Sequence, residues 1–184
     1  MEKKRIQYAE DDFSSLKRLL RLRTPSLVIG LFIGLFLSFV TSGFEKVLQE
    51  NIALAFFLPL IVYLADAIGT QTQTIYTRDL KTGHASFKKY MIKETFLGII
   101  WGILFSILAS LVIFVWFKSF ELTLAVGLSM FGAIITAPPI AIIITRIIYF
   151  YKEDPAVGSG PLSTVIQDVV SVIIYGLIAS AIIL

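Results

Sequence analysis

Long apolar segments alternate with short polar ones along this 184-residue chain. The apolar segments cover residues 25–42, 52–76, 95–117, 122–148 and 161–184. Each is close to the roughly 20 residues that a helix needs to cross a bilayer. The pattern therefore predicts an all-α, polytopic membrane protein with five transmembrane helices.

The residues before the first apolar segment are polar and charged. Within them, residues 11–23 carry Phe and Leu side chains at three- and four-residue spacing, which indicates an amphipathic helix. We expect this cytoplasmic helix to lie on the inner leaflet or to lean against the mouth of a pore. The chain would then divide into an N-terminal segment, 1–24, and a five-helix transmembrane domain, 25–184. Acidic residues stand where a signal peptide needs an apolar core, so no cleavable signal is predicted.

Lys and Arg residues are distributed unequally between the two sides of such a membrane domain. Seven precede the first apolar segment, five follow the second and two follow the fourth, whereas the other two connections carry one each. Cytoplasmic segments carry the excess of Lys and Arg in membrane proteins. We therefore predict a multi-pass protein of the cell membrane, with a cytoplasmic N-terminus and an external C-terminus.

The composition of the chain excludes several kinds of catalytic and metal site. The chain is 57% hydrophobic and 16% charged, with a mean hydropathy of +0.84, so the lipid bilayer is its expected surrounding. It has no Cys and one His, which excludes disulfides, Cys nucleophiles and a His-cluster zinc site within one chain. The net charge of +3 fits topology and anionic lipid better than nucleic acid. No phosphate-binding glycine motif is present, so we predict no organic cofactor.

Asp168 lies in the middle of the last apolar segment. A carboxylate near the bilayer centre costs about 3 kcal/mol, so it needs water, a polar helix or a cation as a partner. Helical spacing puts Gly160, Thr164 and Ser171 on the same face. Hydrated Mg²⁺ needs only one or two carboxylates. We predict that Asp168 binds a divalent cation in a pore, with a hydrogen-bonded structural Asp as the alternative.

The second apolar segment becomes polar in its second half. Asp66 is a second candidate ligand there, with a structural pairing inside the helix bundle as the alternative. Four following residues are predicted to line the pore: Gly69, Thr70, Gln71 and Gln73. Two carboxylates in one cavity would repel each other unless a cation or a proton lay between them.

Glu94 opens the third apolar segment and is either a ligand at the pore mouth or a helix cap. Paired intramembrane acids also occur in aspartyl proteases, which leaves a hydrolase as a less favoured alternative. However, that class carries Gly-x-Gly-Asp, and here Ile166 and Gln167 precede Asp168. No catalytic residue and no enzyme activity are predicted.

Two stretches of the chain resemble the MgtE magnesium transporter family. In the second apolar segment and its exit, Pro59, Gly69, Gln71 and Arg78 match the family's pattern in helix two. Residues 154–168, which begin Asp-Pro-Ala and end Thr-Val-Ile-Gln-Asp, resemble the start of the family's helix five. The resemblance covers almost the whole chain.

The resemblance implies a homodimer of five-helix protomers, with a Mg²⁺ path along the dimer axis between helices two and five. It implies that Asp168 binds hydrated Mg²⁺ and that residues 11–23 plug the cytoplasmic side. Lys93 and Glu94 match a Lys-Glu pair that opens helix three in the family. The implied function is a divalent-cation channel or transporter that prefers Mg²⁺, with an exchanger coupled to Na⁺ or H⁺ as the alternative.

Three departures from the family pattern bear on function. Ala67 stands where the family has Asn, with Asp66 one position earlier, and Ser171 stands where it has Gly. Both changes affect the expected ion selectivity. The 184 residues show no counterpart of the family's cytoplasmic regulatory domains, so a separate regulatory subunit is a candidate partner.

Overall fold

The computed structural model describes residues 13–184. Residues 1–12, which include the start of the amphipathic helix predicted over 11–23, lie outside it. The described helices are α1 (Leu16–Ser42), α2 (Glu45–Glu50), α3 (Ala53–Lys81), α4 (Phe87–Phe117), α5 (Phe120–Phe150) and α6 (Pro155–Ile183). All of these except α2 are long and apolar enough to cross a membrane. The predicted all-α, multi-pass fold with five spanning helices is confirmed.

Helix α5 is the centre of the helix bundle. It packs against α3, α4 and α6, whereas α1 packs chiefly against α6. Small side chains along α5, among them Ala125, Ala133 and Ala137, are buried and allow the neighbouring backbones to approach closely. Larger buried residues of α5, such as Met130 and Ile134, fill the space between these contacts. The two helices that carry the intramembrane aspartates, α3 and α6, are therefore both fixed to one scaffold.

Helix α1 runs across the predicted boundary between residues 24 and 25. Residues 16–23 of the predicted amphipathic helix are the first turns of α1, and Pro25 lies inside that helix. A proline normally interrupts a helix because it removes a backbone donor. Here the Ser26 hydroxyl lies 3.0 Å from the Arg23 carbonyl oxygen of the preceding turn and 3.3 Å from the Val157 carbonyl oxygen on α6, so α1 continues past the proline in contact with α6.

The connection between α1 and α3 contains a second unpredicted feature, the short helix α2. Its preceding residue, Phe44, places its ring directly against the backbone of Gly176 on α6. A methyl group on Gly176 would occupy the space of that ring. Glycine at this position therefore lets the connection between α1 and α3 pack onto α6.

We expect Gly176→Ala to lower the free energy of unfolding by about 1–3 kcal/mol, because the added methyl group overpacks the contact with Phe44. Unfolding of the detergent-solubilised protein, followed by circular dichroism, measures this change. The control is the same substitution in a Phe44→Ala background, where the space is open. An equal loss in both backgrounds would contradict the contact.

Candidate ion-binding site

Helices α3 and α6 correspond to the second and fifth predicted spans, and two hydrogen bonds fix them side by side. Gln73 Nε2 donates to Ser159 Oγ at 2.8 Å, and Tyr175 Oη donates to the carbonyl oxygen of Leu54 at 2.6 Å. Residue numbers fall along α3 as they rise along α6, so the helices are antiparallel.

This register brings the two intramembrane aspartates to the same level. Asp66 lies about 10 Å along α3 from Gln73, and Asp168 lies about 13 Å along α6 from Ser159, at 1.5 Å per residue. The carboxylate of Asp66 is near enough to act electrostatically on Asp168. The structure thus brings together the two acids that the sequence singled out.

Asp168 is half-buried, and its Oδ1 atom is buried without a hydrogen-bond partner among the described residues. A buried carboxylate oxygen with no donor is costly, and the neighbouring charge of Asp66 adds repulsion. Both costs fall when a cation or a proton lies between the two groups. The structural alternative for Asp168, in which neighbouring hydroxyls satisfy the carboxylate, does not account for this oxygen.

The ligand set of one protomer is small. Among residues 13–184, no three His, Cys, Asp or Glu side chains come together as a metal-binding group. Two carboxylates are too few for a zinc site, which takes at least three protein ligands. They are sufficient for Mg²⁺, which keeps most of its waters and uses one or two carboxylates.

Part of the predicted lining lies on the surface of the helix bundle. Thr70 and Gln71 are exposed on α3, while Gly160 and Thr164, about two turns and one turn before Asp168 on α6, are half-buried. Toward the other end of α3, Tyr63 is 67% exposed. The exposed face of α3 is thus apolar at one end and polar at the other, and the polar part is poorly suited to lipid.

Three of the predicted lining residues lie inside the protomer instead. Gly69 packs against Ala137 of α5, at a distance of 3.6 Å for an added Cβ atom. Gln73 is held by its bond to Ser159, and Ser171 is fully buried. These three residues face neighbouring helices and not the surface of the helix bundle. They belong to the packing that supports the aspartates.

Glu94 is not the helix cap that was one of its two predicted roles. Helix α4 begins at Phe87, so Glu94 is two turns inside the helix and cannot cap its first turn. Its Oε2 atom accepts a hydrogen bond from Thr72 Oγ1 of α3 at 2.8 Å. Glu94 does not form a group with Asp66 and Asp168. Its observed contact joins α3 to α4.

Sequence reasoning missed Gln167, which holds α6 against α5 directly before Asp168. This side chain is 2% exposed, and its Nε2 atom donates to the Ala133 carbonyl oxygen at 3.1 Å and to Ser171 Oγ at 3.2 Å. The available signal was an amide inside an apolar segment, since buried amides in membranes join helices. Gln167 therefore fixes the rotation of α6, and with it the direction of Asp168.

Comparison with known proteins identifies the family of the chain. Residues 58–178 match the family model MgtE, described as a divalent cation transporter. This region contains both aspartates and most of α3 and α6.

Similar curated proteins carry the name magnesium transporter MgtE. The chain is 34% identical to that of Bacillus subtilis over 162 residues, which is 86% of this chain and 36% of the relative. It is 31% identical to that of Enterococcus faecalis over 161 residues, again 86% and 36% of the two chains. For Thermus thermophilus the values are 30% over 157 residues, 83% and 34%. The chain thus spans about a third of the length of these relatives. Because the family model matches most of the membrane domain, the chain belongs to the MgtE family of divalent cation transporters.

Proposed function

We propose that this chain forms a path for divalent cations, preferentially Mg²⁺, and that the ion binds at Asp168. The observation that carries the proposal is the buried Oδ1 atom of Asp168, which lacks a donor and lies near the charge of Asp66. A hydrated divalent cation would satisfy the oxygen through a bound water and would cancel the repulsion. The names of the relatives, all magnesium transporters, support the same ion.

The path runs, in this proposal, between two copies of the chain. The support is the exposed face of α3, where Thr70, Gln71 and Thr74 would otherwise meet lipid. Phe56 and Tyr63, also exposed on α3, supply apolar surface for a contact with a second copy. A twofold axis beside this face doubles each carboxylate, which compensates for the small ligand set of one protomer.

The proposed orientation places the N-terminus in the cytoplasm and the C-terminus outside. Its support is the excess of Lys and Arg before α1, between α3 and α4, and between α5 and α6. The side on which Gln73 and Ser159 join α3 to α6 would then be the cytoplasmic one.

A coupled exchanger is the second candidate function. Its support is the neighbouring position of Asp66 and Asp168, since a monovalent coupling ion, H⁺ or Na⁺, would reduce the repulsion between the two acids. A hydrolase would use the same pair, but the relatives are named as transporters.

Asp168→Asn is expected to reduce Mg²⁺ flux about tenfold or more, because the amide keeps the shape of the side chain but loses the charge that binds the cation. Flux is measured in proteoliposomes that contain a Mg²⁺-sensitive dye. The matched control is Glu121→Gln, the same charge change at an exposed position in the first turn of α5. Wild-type flux in Asp168→Asn would refute the site.

Asp66→Asn is expected to change selectivity more than it changes maximal flux, since Asp66 adds charge beside the ion. Competition of Mn²⁺, Co²⁺ and Ca²⁺ against Mg²⁺ flux in the same vesicles measures this. A second series with an imposed pH gradient tests coupling, and Asp66→Asn should abolish any flux that the gradient drives. Unchanged competition and unchanged pH dependence would show that Asp66 has a structural role.

A further inference from the structure

A small polar cavity lies at the start of α4, on a different helix from the proposed ion site. It has a volume of about 250 Å³ and is formed by α4 and the connection that precedes it. Its lining residues are His84, Ser86, Lys89, Tyr90, Lys93 and Glu94.

Two lysines supply the positive charge of the lining. Lys89 and Lys93 are one turn apart on the same face of α4, and His84 adds a third nitrogen donor. Glu94 also lines the cavity, and its carboxylate accepts the hydrogen bond from Thr72 of α3, while the hydroxyl of Tyr90 donates to Asp79. Two lysines against one carboxylate leave the lining with a net positive charge.

The face that carries the lysines continues as an apolar surface. Phe96 and Ile100 follow Lys93 by three and seven residues, so they share its side of the helix. Phe96 is 62% exposed and Ile100 is 59% exposed. One stripe of α4 thus changes from cationic to apolar where the helix enters the membrane.

We propose that this cavity binds the phosphate of an anionic phospholipid, whose acyl chain lies along Phe96 and Ile100. Basic pockets at the ends of membrane helices bind lipid headgroups through charge and hydrogen bonds. Lysine also suits this depth, because its alkyl stem packs on apolar surface while the ammonium group reaches the headgroup. Free phosphate would accept hydrogen bonds from the same donors, but it has no apolar part to contact Phe96 and Ile100.

The test is native mass spectrometry of the full chain in detergent with added phosphatidylglycerol. The wild type is expected to retain bound lipid, and the Lys89→Gln/Lys93→Gln variant to retain about tenfold less, because two charges near the phosphate are lost. The matched control, Lys46→Gln/Lys118→Gln, removes two lysines from other connections and should retain wild-type levels. An equal loss in both variants would overturn a discrete site.

Two further arms identify the ligand and guard against misfolding. Lys89→Arg/Lys93→Arg keeps both charges and should retain the lipid, whereas a loss as large as in the Gln variant would overturn recognition by charge. Millimolar inorganic phosphate should not displace the lipid, and Phe96→Gln should weaken its retention. Displacement by phosphate, together with an unaffected Phe96→Gln variant, would show a site for free phosphate and refute the lipid.

Discussion

The constraint on which this structure depends is the cost of a carboxylate inside a bilayer. Asp168 lies in an apolar helix, with a buried oxygen that no described donor satisfies and a second acid, Asp66, nearby. Without further contacts, α3 and α6 could reduce the repulsion between Asp66 and Asp168 by moving apart or rotating. Hydrogen bonds on either side of the pair, Gln73 to Ser159 and Tyr175 to Leu54, oppose that movement. The packing of the bundle thus holds the two acids near each other, and a cation can offset the repulsion between them.

Helix α5 contacts both α3 and α6 and so positions the two aspartates. The Ala137 surface receives Gly69 of α3, and the Ala133 carbonyl oxygen accepts a hydrogen bond from Gln167 of α6. These two contacts are one turn apart, so α3 and α6 are aligned against the same short stretch of α5. Small residues at that stretch keep the helices close, and the buried amide sets their rotation. The position of the aspartates is therefore a property of three helices.

The sequence predicted those features that are local along the chain. The five spans follow from hydropathy, and the two aspartates stand out because charge is rare in such segments. The burial of Gly69, Gln73 and Ser171 could not be predicted in this way, since the side of a helix that meets a neighbour is decided by packing across the bundle. The start of α4 was also not predicted. Residues 87–93 include three lysines and precede the predicted apolar segment, but they continue α4 because backbone hydrogen bonding does not stop where the apolar segment begins.

The exchange of the family's Asn for Ala67, with Asp66 beside it, has an electrostatic consequence in the proposed homodimer. Two copies would place four carboxylates around one path, and a single divalent cation compensates for two of those charges. The remaining charge must be balanced by a second cation or by protons, because an uncompensated charge is too costly in a low-dielectric surrounding. A path with one aspartate per chain needs no such balance when Mg²⁺ is bound. In the proposed homodimer, Asp66 would therefore be the residue that links transport to a second ion, as the exchanger candidate requires.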